Sequence, residues 1–108
     1  MSRALSEEVI QSENVRFLGT GGRSQENRSR RFRPAFMDLE TCAVYPSRFA
    51  NGSPAPFHLL DGLPPEAVLS RTPGGRVATV KPSVISGFTL DGVFYTREAA
   101  ARKANELA

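Results

Sequence analysis

Alternating apolar and polar positions along the chain predict short β-strands joined by turns, more than long helices. Residues 31–37 and 43–49 form the first such pair. Asp38 begins the turn between them, because an aspartate at that position accepts hydrogen bonds from backbone N–H groups two residues later. If Asp38 faces Ala43, Cys42 ends the turn in the left-handed conformation common in loops of this length. The pattern therefore predicts a central hairpin with a defined register.

This register sorts the side chains of the hairpin onto two faces, because neighbouring residues of a strand point to opposite sides. The predicted core face consists of Phe32, Phe36, Tyr45 and Phe49. The predicted opposite face carries Arg31, Arg33 and Arg48, with Arg33 meeting Arg48. Like charges placed opposite each other destabilise a strand pair. Solvation, a carboxylate from elsewhere in the chain or an external anion must therefore offset these cations.

Two further hairpins are predicted from the turn residues nearer the C-terminal end. They pair residues 67–71 with 76–81, and residues 83–90 with 93–95. Asp91-Gly92 lies between the last two strands, and this dipeptide between alternating apolar residues strongly predicts a hairpin. Gly87, inside the preceding strand, indicates a bulge or a close backbone contact.

The last residues of the chain predict a helix. Thr96 is a favourable N-cap, and the helix is expected to run from Arg97 to about Leu107. Its apolar stripe is narrow, and we expect Ala100, Ala104 and Leu107 to dock on the sheet. A helix of about eleven residues is marginal alone, so packing must hold it.

The first third of the chain has weaker patterns. Residues 1–14 are expected to form a weak helical turn or a loose N-terminal segment. Residues 15–18 are a plausible first strand, which runs into a glycine-rich loop. No Gly-Lys-Ser/Thr follows that loop, so we interpret it as flexible and not as a phosphate cradle. Residues 19–31 have almost nothing to bury and are expected to form a mobile, Arg-rich loop.

These elements predict an α+β fold of mostly antiparallel hairpins, with about five to seven short strands and one C-terminal helix. The length of 108 residues fits one domain. We expect that domain to occupy residues 15–108, after the loose segment 1–14.

Charge is distributed unevenly, although the net charge is only +3. Residues 22–34 contain five arginines against Glu26, whereas residues 35–70 contain Arg48 against four acidic residues. Arginine suits bidentate contact with phosphate or carboxylate better than lysine does. The basic run is therefore either an anion-binding arm or a solvated loop, and coding bias towards arginine is a further explanation.

Several classes of protein find no support in the sequence. The single cysteine cannot form an intramolecular disulfide, which favours a reducing cytoplasm. No apolar stretch of about 18 residues predicts a membrane helix, and the first residues lack the apolar run of a signal peptide. His58 is the sole histidine and has no metal-ligand spacing or nucleophile motif around it. We therefore predict a cytoplasmic protein that is not an enzyme, with no catalytic residue, metal or cofactor.

Three segments of the chain resemble a group of short, uncharacterised proteobacterial proteins. They are Phe32-Arg33-Pro34-Ala35-Phe36, the turn from Asp38 to Thr41, and the stretch from Gly92 to Ala100. The likeness covers most of residues 15–102. The group has no known activity, so the resemblance implies a bacterial protein but assigns no functional residues.

Two functional hypotheses follow from the charge pattern. In the first, the protein binds nucleic acid non-enzymatically, with an arm and a β-ribbon face that contact phosphates. The predicted nucleic-acid-binding residues are Arg23, Arg28, Arg30, Arg31, Arg33 and Arg48. In the second, the protein is an interaction module or homodimer that recognises an acidic protein partner, because short hairpins leave unpaired sheet edges.

Overall fold

The computed structural model describes residues 5–106, which fold as an α+β domain with six antiparallel strands in two sheets. The helices are α1 (Glu7–Arg16), α2 (Ser24–Asn27) and α3 (Arg97–Glu106). The strands are β1 (Arg33–Asp38), β2 (Val44–Pro46), β3 (Val68–Arg71), β4 (Val77–Val80), β5 (Val84–Leu90) and β6 (Val93–Thr96). Short 3₁₀ turns cover Arg28–Arg30 and Pro65–Ala67. The predicted fold class is confirmed.

The main sheet has the strand order β2-β1-β5-β6, and β3 and β4 form a separate ribbon. The predicted register of the central hairpin is confirmed, with Phe36 opposite Tyr45. Its turn closes as expected: the Asp38 N–H donates to the Ala43 carbonyl at 2.9 Å, and Cys42 has a φ of 63°. The residues of the turn between Asp38 and Ala43 therefore determine how β1 pairs with β2.

The second strand of that hairpin is shorter than predicted. β2 ends at Pro46, whose nitrogen has no hydrogen to donate to a ladder, and the chain then turns so that Arg48 forms a bridge with Pro54. The expected contact between Arg33 and Arg48 is wrong, because Arg33 pairs with Thr89 of β5. Phe49 is also not a core residue, with 38% of its surface exposed.

Two hydrophobic clusters hold the sheet. Phe36 belongs to one, together with side chains of α1, the loop after β2 and the β3–β4 ribbon. Phe32 belongs to the other, where it packs with Phe88 and with Ala100 and Ala104 of α3. The two phenylalanines are buried as predicted, but each contributes to a different core.

The N-terminal region contains a helix, α1, that extends into the segment predicted as the first strand. Ser6 caps α1 by accepting from the Val9 N–H at 3.3 Å, and α1 continues through residue 15 to Arg16. Ile10 on its inner face is buried in the first cluster. The strand predicted for residues 15–18 is therefore wrong. Of the two alternatives for residues 1–14, the helical one is observed over residues 7–14. The sequence pattern of this segment predicts a helix only weakly, and packing against the rest of the fold stabilises the helix.

The Arg-rich segment is also more structured than predicted. Ser24 begins α2, and both Ser24 and Asn27 are buried, Asn27 completely. The expectation that this segment has almost nothing to bury is therefore wrong. Its mobility and the domain boundaries stay predictions.

The two C-terminal hairpins and the last helix are confirmed. Asp91 and Gly92 both have positive φ, at 51° and 82°, as their tight turn requires. Gly87 makes the predicted close contact, since a Cβ there would collide with the Tyr95 carbonyl. The Ala99 N–H donates to the Thr96 hydroxyl at 3.1 Å and starts α3. The docking predicted for Leu107 lies outside the described residues. No helix within residues 5–106 is long and apolar enough to span a membrane.

Candidate nucleic-acid interface

A groove of about 680 Å³ lies at one end of the main sheet. Its walls come from the 3₁₀ turn after α2, the start of β1, the chain after β2 and the β5–β6 turn. It is lined by Ser24, Arg28, Arg31, Phe32, Arg33, Pro34, Pro46, Ser47, Arg48, Pro54, Ala55, Pro56, Thr89, Asp91 and Gly92. We call this feature the arginine groove.

Four of the six predicted arginines line the arginine groove, namely Arg28, Arg31, Arg33 and Arg48. Arg23 and Arg30 belong to the same basic segment but not to the lining. The sequence predicts Arg31, Arg33 and Arg48 on one face of a two-stranded ribbon, and Arg28 in the arm that leads into it. They instead surround a concave surface, because the bend after Pro46 carries Arg48 around the end of the sheet.

The four groove arginines are exposed and have no carboxylate close to them. Within residues 5–106, no Asp or Glu oxygen lies within 4.0 Å of these guanidinium groups. Arg28 donates to the Pro56 carbonyl and Arg48 to the Gly52 carbonyl, each at 2.9 Å. These bonds orient the cations without neutralising them. Asp91 is the acidic residue of the lining.

Arg31 adopts a strained backbone conformation at the wall of the groove. Its φ is 74°, in the left-handed region that costs a non-glycine residue about 1–2 kcal/mol. It ends the 3₁₀ turn, and its N–H donates to the Arg28 carbonyl at 3.0 Å. The bend at Arg31 redirects the chain from the 3₁₀ turn into β1. Arg28 before the bend and Arg33 after it therefore both line the groove.

The glycine-rich loop cradles an internal carboxylate. The Glu26 oxygens accept hydrogen bonds from the Gly19 and Gly21 N–H groups, both at 2.8 Å. Burial opposes the charge of Glu26, but these N–H groups and Arg23 outweigh it and lower the pKa of Glu26. Arg23 lies 3.5 Å from the same carboxylate. Glu26 thus occupies the N–H groups that a phosphate would use, and Arg23 is paired within the chain.

A buried arginine, Arg97, was missed by the sequence reasoning. Its guanidinium is 2% exposed and donates to Ser86 Oγ at 3.1 Å, Asn14 Oδ1 at 2.9 Å and the Gly22 carbonyl at 3.1 Å. Glu13 lies 3.9 Å away and supplies a counter-charge. Arg97 therefore joins α1, the glycine-rich loop and β5 to α3. A positive charge in the first turn of a helix interacts unfavourably with the helix dipole. The position of Arg97 at the start of α3 was therefore the feature of the sequence that could have indicated a special role.

His58 completes this buried network and is held as a neutral ring. Its Nε2 lies 2.7 Å from the Gly87 carbonyl and must donate, so Nδ1 accepts from Arg97 at 3.1 Å. Burial, together with the positive charge of Arg97, lowers the pKa of His58 to about 3. The rings of Phe36 and Phe88 pack against it edge to face. These contacts place His58 inside the fold, with both ring nitrogens engaged.

Comparison with protein-family models, with curated proteins and with solved structures finds no match to this chain. The resemblance to short proteobacterial proteins stays a prediction. Within residues 5–106, no group of three or more His, Cys, Asp or Glu side chains is placed to hold a metal ion. The arginine groove is therefore the surface from which function is argued.

Proposed function

We propose that this protein binds nucleic acid non-enzymatically and holds the phosphate backbone in the arginine groove. The observation that carries this proposal is the convergence of Arg28, Arg31, Arg33 and Arg48 on one concave surface, where no carboxylate of residues 5–106 lies within 4.0 Å of them. Three of these residues belong to the basic run at residues 28–33, and Arg48 comes from the chain after β2. The fold therefore brings a distant cation next to a local basic run.

The electrostatics of the groove favour a polyanion. Four guanidinium groups face one carboxylate, that of Asp91, so the groove is strongly positive while the whole chain is only +3. Arginine binds phosphate in a bidentate geometry and stays charged at any physiological pH. A row of phosphates, spaced along a backbone, can contact several of these cations at once and release condensed counter-ions.

The surroundings of His58 and Glu26 favour a binding protein over an enzyme. His58 has both ring nitrogens engaged within the chain and is held neutral by burial. Glu26, the carboxylate in the glycine-rich loop, is saturated by backbone N–H groups and Arg23. A general acid or base needs free access to its substrate. These groups instead stabilise the fold.

Salt dependence of binding tests the proposal directly. Affinity for single-stranded DNA, single-stranded RNA and duplex DNA is measured by fluorescence anisotropy at about 50 and 200 mM salt. Four phosphate contacts predict a loss of about 50- to 150-fold between these concentrations. Absence of binding to every one of these nucleic acids at the lower salt would overturn the proposal.

A charge-matched pair of variants separates the groove from general basicity. The double variant Arg33→Gln, Arg48→Gln removes two groove cations, and the control Arg16→Gln, Arg102→Gln removes two exposed cations outside the groove. The groove variant is expected to flatten the slope of log affinity against log salt by about 1.5, since each phosphate contact contributes about 0.7–0.9. The control keeps the wild-type slope. Equal effects of the two variants would contradict a role for the groove.

A second candidate function is association with an acidic protein or with a second copy of the chain. It is favoured by the sheet edges, because no strand within residues 5–106 pairs with the outer side of β2 or β6, and these strands expose Val44 and Val93. Light scattering measures the mass in solution. A monomeric protein that binds nucleic acid with the expected salt dependence would contradict this second function. A dimeric protein that does not bind nucleic acid would support it.

A further inference from the structure

Two exposed phenylalanines lie beside the arginine groove. Phe49 and Phe57 are 38% and 44% exposed, and their ring centroids are 6.3 Å apart with the rings nearly perpendicular. Each follows a groove residue in the chain, Arg48 and Pro56 respectively. Both rings therefore present apolar surface to solvent next to the groove. We call these two residues the ring pair.

The backbone that carries the ring pair is tightly held. Ser47 is buried, and its hydroxyl donates to the Phe57 carbonyl at 2.7 Å and accepts from the Leu59 N–H at 2.8 Å. The Phe49 N–H donates to the Ser53 carbonyl at 2.9 Å. The bond from Arg28 to the Pro56 carbonyl ties the same loop to the arginine groove. The backbone that carries the rings is therefore ordered before any ligand binds, so stacking on the rings does not require this loop to be ordered first.

Cations lie on both sides of the ring pair. Arg48 belongs to the arginine groove, while Phe49 also lines a neighbouring depression that contains Arg71 and Arg76. Arg76 is paired with Glu7 and Asp61 at 3.3 and 3.4 Å. Within residues 5–106, no carboxylate lies within 4.0 Å of Arg71. Beyond the ring pair, Arg71 is thus one further cation, whereas the charge of Arg76 is balanced by Glu7 and Asp61.

We infer that the nucleic acid bound here is single-stranded, with bases stacked on Phe49 and Phe57 while phosphates lie along the arginine groove. A positively charged groove with aromatic side chains beside it is the arrangement that single strands require, because unpaired bases offer free faces for stacking. Duplex bases are already stacked on each other and cannot reach exposed rings without being pulled apart. This inference rests on the proposed function and narrows it to one class of ligand.

The test compares an oligothymidine of about 12 nucleotides with a duplex of equal length, by fluorescence anisotropy at low salt. Phe57→Leu and Phe49→Leu keep apolar volume but remove the ring face, and Leu69→Ala changes an exposed apolar residue outside the groove. Each ring variant is expected to weaken single-strand binding about 5- to 50-fold, whereas Leu69→Ala changes it less than about 2-fold. Phe57→Tyr keeps a ring and is expected to retain affinity.

The outcomes separate this inference from the proposed function. Preference for the single strand, lost in the ring variants while the salt slope stays at its wild-type value, supports the inference. Equal affinity for both nucleic acids, with ring variants that change neither, would overturn it and leave the phosphate-binding groove intact. Absence of binding to any nucleic acid would overturn both. Circular dichroism of each variant confirms that a lost affinity does not come from unfolding.

Discussion

Acidification below about pH 6.5 is expected to destabilise this protein, because His58 is buried as a neutral ring. Its pKa in the fold is lowered to about 3 by burial and by Arg97, against 6.5 for an exposed histidine. Between these two values the unfolded chain binds a proton that the folded chain does not. The free energy of unfolding therefore rises with pH in this window, and stability is lost as the pH falls through it.

The expected magnitude is large for a domain of this size. A full proton difference changes the free energy of unfolding by about 1.4 kcal/mol per pH unit. Integrated from neutral pH down to about pH 5, the loss is about 2 kcal/mol, out of the roughly 5–15 kcal/mol typical of small domains. His58 is the only histidine, and carboxylates titrate mainly below about pH 5. The effect in this window is therefore assignable to one side chain.

Urea denaturation followed by circular dichroism at several values between about pH 7.5 and pH 5 measures this slope. The control is His58→Gln, whose amide does not titrate. The variant is expected to be less stable at neutral pH, but its free energy of unfolding should be nearly constant across the window. NMR of the wild-type ring should show the neutral Nε2–H form throughout.

A wild-type slope below about 0.3 kcal/mol per pH unit would refute the reasoning, because it would mean that folded and unfolded chains bind the same number of protons. An equal slope in His58→Gln would refute the assignment to this side chain. Either result would also contradict a short contact between a neutral His58 and the Arg97 guanidinium.

Two further substitutions test the packing on which the fold depends. Arg97→Met is expected to destabilise the protein by about 3 kcal/mol or more, because several buried acceptors lose their donor together. Arg102→Met, an exposed change on the same helix, should lower the free energy of unfolding by less than about 0.5 kcal/mol. If urea denaturation gave similar losses for the two variants, the buried hydrogen bonds of Arg97 would not stabilise the fold. Gly87→Ala is expected to lower the melting temperature strongly, since its Cβ would collide with the Tyr95 carbonyl. Gly74→Ala meets only ordinary contacts, and a loss equal to that of Gly87→Ala would contradict this close approach.

Hairpin registers and the last helix were predictable because their determinants are neighbours in sequence. Asp91-Gly92 is one of the few dipeptides that accept two positive φ values, so it specifies the β5–β6 turn. Asp38 starts the β1–β2 turn by accepting a hydrogen bond from the Glu40 N–H at 2.9 Å, and Thr96 caps α3 by a bond to a residue three positions later. None of these choices needs information from a distant part of the chain.

The helix over residues 7–16 and the ordered segment after it could not be predicted with the same methods. The apolar positions of α1 form only a short stripe, and its stability comes from burial of Ile10 against distant residues of the first cluster. Asn27 is buried although its neighbours are polar, because its amide donates to the Gly21 carbonyl at 2.9 Å. The pattern of apolar and polar residues does not reveal packing or hydrogen-bond partners of this kind, because folding brings them together.

By itself, the sequence determined which parts of the chain are strands joined by tight turns, and that arginines are concentrated between residues 22 and 34. Only the tertiary structure decided what each arginine does. Arg97 is buried among acceptors that include Asn14, 83 residues away. Arg33 and Arg48 line an open groove, and no carboxylate of the described residues 5–106 lies within 4.0 Å of either. A guanidinium is identical at every position in the sequence. Its role depends on the solvent and counter-charges that folding brings to it, and those come from residues far along the chain.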